Sequence, residues 1–219
     1  LHFISEGARR GEPGLIASFH ETPDQLVAKA EGVGLGLRRW VDEGQVRLLW
    51  QPPLEVLLDA FAHALLQHVT QQGTRRLFLD GVTDLERLAL VSDRFPTYLT
   101  ALTNVLRAHG VTALFAATTG AIAGVPLEVP VPALSATIKN IILLRYVELH
   151  SQLHRLISIL KTPASEHDTA LREFFITPRG LEVAATFASA EAVLTGIARL
   201  ALPPQPPSPR RTTRREARS

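Results

Sequence analysis

The chain has 219 residues, 46% of them hydrophobic and 20% charged, enough to bury one substantial core and short enough to argue for a single domain. Its formal charge of +2 arises at the end: residues 203–219 hold Arg210, Arg211, Arg214, Arg215 and Arg218 against Glu216, and removing these takes 23 basic and 21 acidic residues to 18 and 20. What remains is not basic, which excludes an overall nucleic-acid-binding charge outside the tail, and no apolar run is long enough to span a bilayer.

Zero cysteines exclude disulfides and thiolate metal sites and fit a reducing compartment. The first residues lack the basic-then-apolar order of a secretory signal, so a cytoplasmic location is expected. The chain begins at Leu1 and contains no methionine, so further sequence is expected upstream.

Residues 2–10 read as the tail of a helix, ended by Gly11 and the turn-forming Pro13-Gly14. Leu15 to Phe19 has the length and continuity of a strand covered on both faces. Thr22 can cap the next helix with Pro23 at its first position and Leu26, Val27 and Ala30 on its apolar side. The glycines of GVGLGL, residues 32–37, follow that helix and read as a turn. Val46 to Trp50 predicts a strand. Pro52-Pro53 is expected to open a helix whose Leu54, Leu57, Leu58, Phe61, Leu65 and Val69 recur at helical spacing until Gly73.

Arg76 to Leu79 predicts another strand, and Phe95 to Ala108 a helix with Tyr98, Leu99, Leu102, Val105 and Leu106 inward. Thr112 to Ala117 follows as a strand. Strands separated by helices of this length predict a mostly parallel sheet wrapped on both faces. Gly120 to Pro132, rich in glycine and proline, predicts an irregular surface loop. Asn140 to Leu149 and Leu153 to Lys161 then predict an antiparallel hairpin, with Arg172 to Thr177 as a third strand. Leu181 to Leu202 is Ala-rich, which favours helix, although its apolar residues follow no clean period. One domain over residues 1–202 is expected, followed by a disordered Pro/Arg-rich tail over 203–219.

Five strings taken together, GARRGEPGLIASFHETPDQLVAKAEGVG, RRLFLDGVTDL, LRAHGVTALFAATT, NIILLRYVE and LISILKTPASEHDTALREFFITPRGLEV, resemble the KaiC-like branch of the RecA-type P-loop ATPases in order and approximate spacing. The resemblance covers residues 1 to about 200. It implies an α/β fold, a RecA-like three-layer sandwich whose mostly parallel central sheet is joined by a C-terminal antiparallel hairpin. It also implies ATP and magnesium as cofactors, and a homo-oligomeric ring or a related ATPase subunit as partner.

The family's phosphate-gripping segment, GxxxxGK[ST], does not occur in these residues. The resemblance makes HFISEGARRGEPG the helix that follows it, so the chain is expected to start just after that element. A central strand would then be missing, and a marginally stable or partner-dependent fragment is expected.

The resemblance puts Asp80 at the Walker B position, whose acid orients magnesium through water; by spacing alone an Asp at a strand end is more often a helix cap or turn former. Strand Leu15 to Phe19 is expected to end beside the terminal phosphate, where the family usually places two glutamates to polarise the attacking water. Here His20 and Glu21 stand in those places, so one carboxylate is kept and the other replaced by an imidazole. Glu21 alone would also serve to support the first turn of the helix at Thr22.

The family's trans-acting block resembles LKxRGSxHD, and LKTPASEHD keeps Lys161, Ser165, His167 and Asp168 while Pro163 replaces the arginine and Ala164 the glycine. Lys161 is the remaining candidate for a phosphate contact from a neighbouring copy; a solvated lysine at a strand end is the other reading. Ser135 falls where some members phosphorylate their own chain, but Ala136 replaces the neighbouring threonine, and a capping or loop serine is the alternative.

No metal site is assigned beyond magnesium through Asp80. His63 and His68 are five apart on one helix and do not share a face, and His150 and His154 flank a turn without a carboxylate cluster. The expected function is therefore an ATPase-family domain, weak or inactive in this chain, with a non-catalytic oligomerisation or regulatory scaffold as the alternative. Nucleic-acid contact would be confined to the tail arginines.

Overall fold

The computed structural model describes residues 1–52, 54, 57–88, 92–118, 138–149, 152–161, 166–184, 190–192 and 198–200. The first part runs α1 (His2–Arg9), β1 (Gly14–Ser18), α2 (Pro23–Gly32), α3 (Leu37–Asp42), β2 (Val46–Trp50), α4 (Leu58–Gln72), β3 (Arg76–Asp80), α5 (Val82–Leu88), a 3-10 turn at Ser92–Arg94, α6 (Phe95–Ala108) and β4 (Thr112–Ala116). Its four strands pair in parallel in the order β2-β1-β3-β4.

Strand β1 sits between two others and is buried along its whole length, which is why Leu15, Ile16 and Ala17 form an unbroken apolar run. Its alternate side chains divide the core. Leu15, Ala17 and Phe19 pack with Leu77 and Leu79 of β3 against Phe61 and Leu65 of α4, Leu85 of α5, and Phe95, Leu99 and Leu106 of α6. Ile16 packs the other way with Ile4 and Ala8 of α1, Leu26, Val27 and Ala30 of α2, Leu37 of α3 and Val46 of β2. Three layers result, α1–α3, the sheet and α4–α6, as expected of a RecA-like sandwich. Each fully buried Leu, Ile or Phe in them contributes about 1.5–3 kcal/mol of transfer free energy.

A second sheet of four antiparallel strands, β5 (Ile141–Leu149), β6 (Gln152–Lys161), β7 (Arg172–Thr177) and β8 (Gly180–Val183), follows in sequence order. Its β7–β8 turn meets the first layer. His2 accepts the N–H of Leu181 at 2.8 Å, and Gly34, at φ +68°, leaves no room for a side chain against the carbonyl of Pro178. A short antiparallel pair, β9 (Ala190–Ala192) and β10 (Ala198–Leu200), completes the described elements.

One expectation changes. Helix α4 begins at Leu58 rather than at Pro52-Pro53: Leu57 has extended backbone angles that end any helical run before it, and Leu54 and Leu57 are exposed although their spacing fits the helical face. In the segment from Leu181 to Leu202, which composition and periodicity left open, the described residues include strands: Leu181, Glu182 and Val183 pair with Ile176, Phe175 and Phe174 and so satisfy their backbone groups across the sheet. Tertiary pairing there decides what local composition leaves open. The expected loop at Gly120–Pro132 and the tail 203–219 lie outside the described residues.

Candidate functional site

Register and parity place the acids. Strands β1 and β3 are parallel with Ser18 opposite Asp80. Leu77 and Leu79 face α4–α6, so Asp80, at odd offset from them, emerges at the end of β3 on the α1–α3 side of the sheet. This is the end at which ligands gather in open parallel sheets.

The chain leaves β1 at the same level. Phe19 donates its N–H to the carbonyl of Asp80 at 3.3 Å, and the N–H of Glu21 turns back onto the buried hydroxyl of Ser18 at 3.2 Å. Helix α2 then starts on a capping box, in which Thr22 Oγ1 accepts from the Gln25 N–H at 3.4 Å and Gln25 Oε1 accepts from the Thr22 N–H at 2.9 Å. His20 and Glu21 are fixed between these two anchors. On the other side Trp50 donates its indole N–H to the carbonyl of Phe19 at 3.3 Å.

Each charged group here has an identifiable neighbour. The Lys29 ammonium on α2 is paired with Oε1 of Glu21. His20 Nε2 lies 3.3 Å from Asp84 Oδ1 on α5, and Arg87 reaches the same oxygen at 3.8 Å. Asp80 forms no ion pair within 4 Å among the described residues. Burial, then the negative charge of Glu21, holds its carboxyl above the usual carboxylate range, with Lys29 and the Leu1 amine opposing and Asp84 adding. Burial in turn lowers the Leu1 amine, against the attraction of Asp80. The Asp80–Gly81 peptide is cis, and a Cβ at Gly81 would stand 2.8 Å from Asp84 Oδ2, so a side chain there would displace the Asp84 carboxylate.

Of the residues singled out from the sequence, His20, Glu21 and Asp80 are brought together. Lys161 closes β6 opposite Ile141 in the second sheet, and its side chain lies outside the described set, as do Ser135, Pro163, Ala164 and Ser165. Asp168 is engaged locally, 2.5 Å from Arg172 and accepting from the Ala170 N–H. Lys29 and Asp84 are additional members of the site. Both are charged helix residues of a kind normally read as solvated, and only the approach of α2 and α5 to the ends of β1 and β3 reveals them.

The donors at this end are carboxylate oxygens, the hard ligands that magnesium takes. Among the described residues no group of three or more acids or histidines is arranged to enclose a metal, so an ion here would keep much of its water. Asp80, half-buried and without an ion-pair partner among the described residues, fits one outer contact to such an ion.

A protein-family model described as "ATPase: KaiC" matches residues 1–187. Among curated proteins, the chain is similar to the circadian clock protein KaiC3 of Synechocystis sp., 27% identical over 194 residues covering 89% of this chain and 38% of that protein. It is also similar to the circadian clock oscillator protein KaiC of Picosynechococcus sp., 24% identical over 194 residues, 89% of this chain and 37% of that one. The KaiC of Prochlorococcus marinus is 24% identical over the same length, 38% of that protein being covered. The chain thus spans under two-fifths of the length of these relatives.

Proposed function

The chain belongs to the KaiC family of ATPases, and from that premise we propose that the ends of β1 and β3 form the acidic half of an ATP site with weak or no turnover in these 219 residues. The observation that carries this reading is the placement of Glu21 and Asp80 at one strand end with Lys29 seated on Glu21.

In this reading Asp80 orients magnesium through water, and the ion, when bound, neutralises charge on the phosphates. Glu21 is the one acid positioned to take a proton from an attacking water. A carboxylate oxygen already engaged by an ammonium is a poorer acceptor for that proton. His20, where the family usually keeps a second glutamate, faces Asp84 instead and adds no fixed negative charge. Lys161 of a neighbouring copy would approach the phosphates, while Pro163 brings neither charge nor N–H to that block. No GxxxxGK[ST] segment occurs among the 219 residues to supply backbone N–H groups to the phosphates.

Titration calorimetry of the 219-residue chain with ATP and magnesium tests this. Weak or undetectable binding is expected, and micromolar affinity with steady hydrolysis would refute it. A second reading, a non-catalytic assembly or regulatory scaffold, is favoured by the exposed apolar strip of Ile142, Leu144 and Tyr146 on β5.

A further inference from the structure

We propose that Lys29 is the resident cation of this site and sets its metal preference: by holding Glu21 it keeps that carboxylate from a divalent ion and leaves Asp80 as the acid open to one. The inference rests on the reading of Asp80 as the magnesium-facing residue.

Three carboxylates converge at the strand ends, and two of them are already matched. Glu21 carries the Lys29 ammonium, and Asp84 carries His20 at 3.3 Å and Arg87 at 3.8 Å. Asp80 has no such partner within 4 Å among the described residues, although it is the most enclosed by its neighbours' charges. The pairing of Lys29 with Glu21 is not an accident of two loose chains. Ser18 anchors the Glu21 N–H, and the Thr22–Gln25 capping box with Pro23 fixes where α2 begins, so Lys29 is delivered to Glu21 from a set direction.

A lysine ammonium is a compact point charge, the closest side-chain mimic of a metal cation. For a divalent ion to take both oxygens of Glu21, Lys29 must first leave Oε1, and an ion on the remaining oxygen is opposed by repulsion between the two cations. With Lys29 in place, the cheaper arrangement is an ion that keeps its water and meets only Asp80.

Manganese(II), read by electron paramagnetic resonance of the free ion, tests this on the 219-residue chain without requiring ATP or turnover. Lys29 is 58% exposed, so Lys29→Met and Lys29→Arg are both expected to keep the parent far-UV circular dichroism. Lys29→Met should tighten manganese binding by about three- to tenfold, the range for losing one partly exposed cationic neighbour, and Lys29→Arg should bind as the parent does. Adding Asp80→Asn to Lys29→Met should abolish the gain.

Binding by Lys29→Met that is no tighter than the parent, including no binding by either, overturns the proposal. If the parent's own manganese binding still disappears in Asp80→Asn, the Asp80 reading survives that failure. If the gain in Lys29→Met persists in the double variant, competition at Glu21 stands and the Asp80 reading falls.

Discussion

Phe19 donates its N–H to the carbonyl oxygen of Asp80 at 3.3 Å, and this bond lies at the point where β1 and β3 part. It sets His20 and Glu21 level with Asp80, so the crowding of acids is a product of strand register. Crowding has a sign. With burial and Glu21 raising its carboxyl, Asp80 favours the protonated form in the folded state, and that contribution is complete below the unfolded value and lost as pH rises through the folded one. Asp80→Asn removes the titration. The variant is expected to be more stable than the parent at neutral pH, by a few tenths to about 1 kcal/mol, with the difference shrinking toward about pH 4. Urea midpoints at the two pH values measure this, and an Asn variant less stable at neutral pH would contradict it.

At the opposite end of β3, Arg76 is 15% exposed and serves as a strut. Its Nε lies 2.5 Å from Glu12, its Nη1 donates to the Phe3 carbonyl at 2.8 Å, and its guanidinium stands 4.9 Å from the Phe3 ring centroid. Its stem also runs across Gly7 of α1, where an added Cβ would overlap Cδ of Arg76. Gly7→Ala should therefore cost about 1–3 kcal/mol as an overpacking change despite alanine's better helix propensity. Arg76→Ala should be destabilising alone but should relieve part of the Gly7→Ala penalty. A double-mutant cycle in denaturant measures that coupling, and strict additivity would show that the stem of Arg76 is not what fills the space above Gly7.

The sheet was legible because its strands are short apolar-rich runs set between turn residues and helices, although only β1 is buried along its whole length. Mostly apolar runs at Leu15–Phe19, Val46–Trp50 and Arg76–Leu79, each of strand length and flanked by glycine or proline, mark β1, β2 and β3 to within a residue. The start of α4 was not legible. Leu54 and Leu57 extend the helical spacing of Phe61, Leu65 and Val69 although neither reaches the core, and periodicity alone does not distinguish a buried leucine from an exposed one. Helix α5 and strand β8 are seven and four residues long, and they take their structure from neighbours rather than from local pattern. His20, Glu21 and Asp80 stand at strand ends that the sequence marks, but it was the family resemblance that singled them out, whereas Lys29 and Asp84 required the packing of helices against those ends.

The contact between His2 and the N–H of Leu181 holds the β7–β8 turn against α1, and it requires an unprotonated Nε2. Burial, with the Leu1 amine and Arg9 adding, lowers the His2 pKa. A depressed folded value means that the stabilisation is present above the unfolded pKa, about 6.5, and is lost as pH falls through the folded one. The Leu181 amide is expected to be protected from hydrogen exchange near neutrality and to lose protection, after correction for intrinsic rates, at an acid pH well below the unfolded histidine value. His2→Ala should show the low protection at both values. Equal protection in parent and variant would remove His2 from the role of acceptor.

Among the described residues, strand β5 carries an exposed apolar strip. Ile142, Leu144 and Tyr146 point to one face and are 55%, 52% and 45% exposed, and Ile159 and Ile157 extend the strip as the cross-strand partners of Ile142 and Leu144. An alternating row of this kind on the first strand of a sheet favours association, because apolar area is removed from water when a second surface covers it. Sedimentation velocity of the chain should show mass rising with concentration. Leu144→Lys places a charge in the middle of the strip, next to Ile157, and should shift the distribution toward monomer while leaving the far-UV circular dichroism unchanged. A monomer at every concentration, or an unaltered distribution in Leu144→Lys, would mean that this face is not where copies meet, and the scaffold reading would lose the observation that favours it.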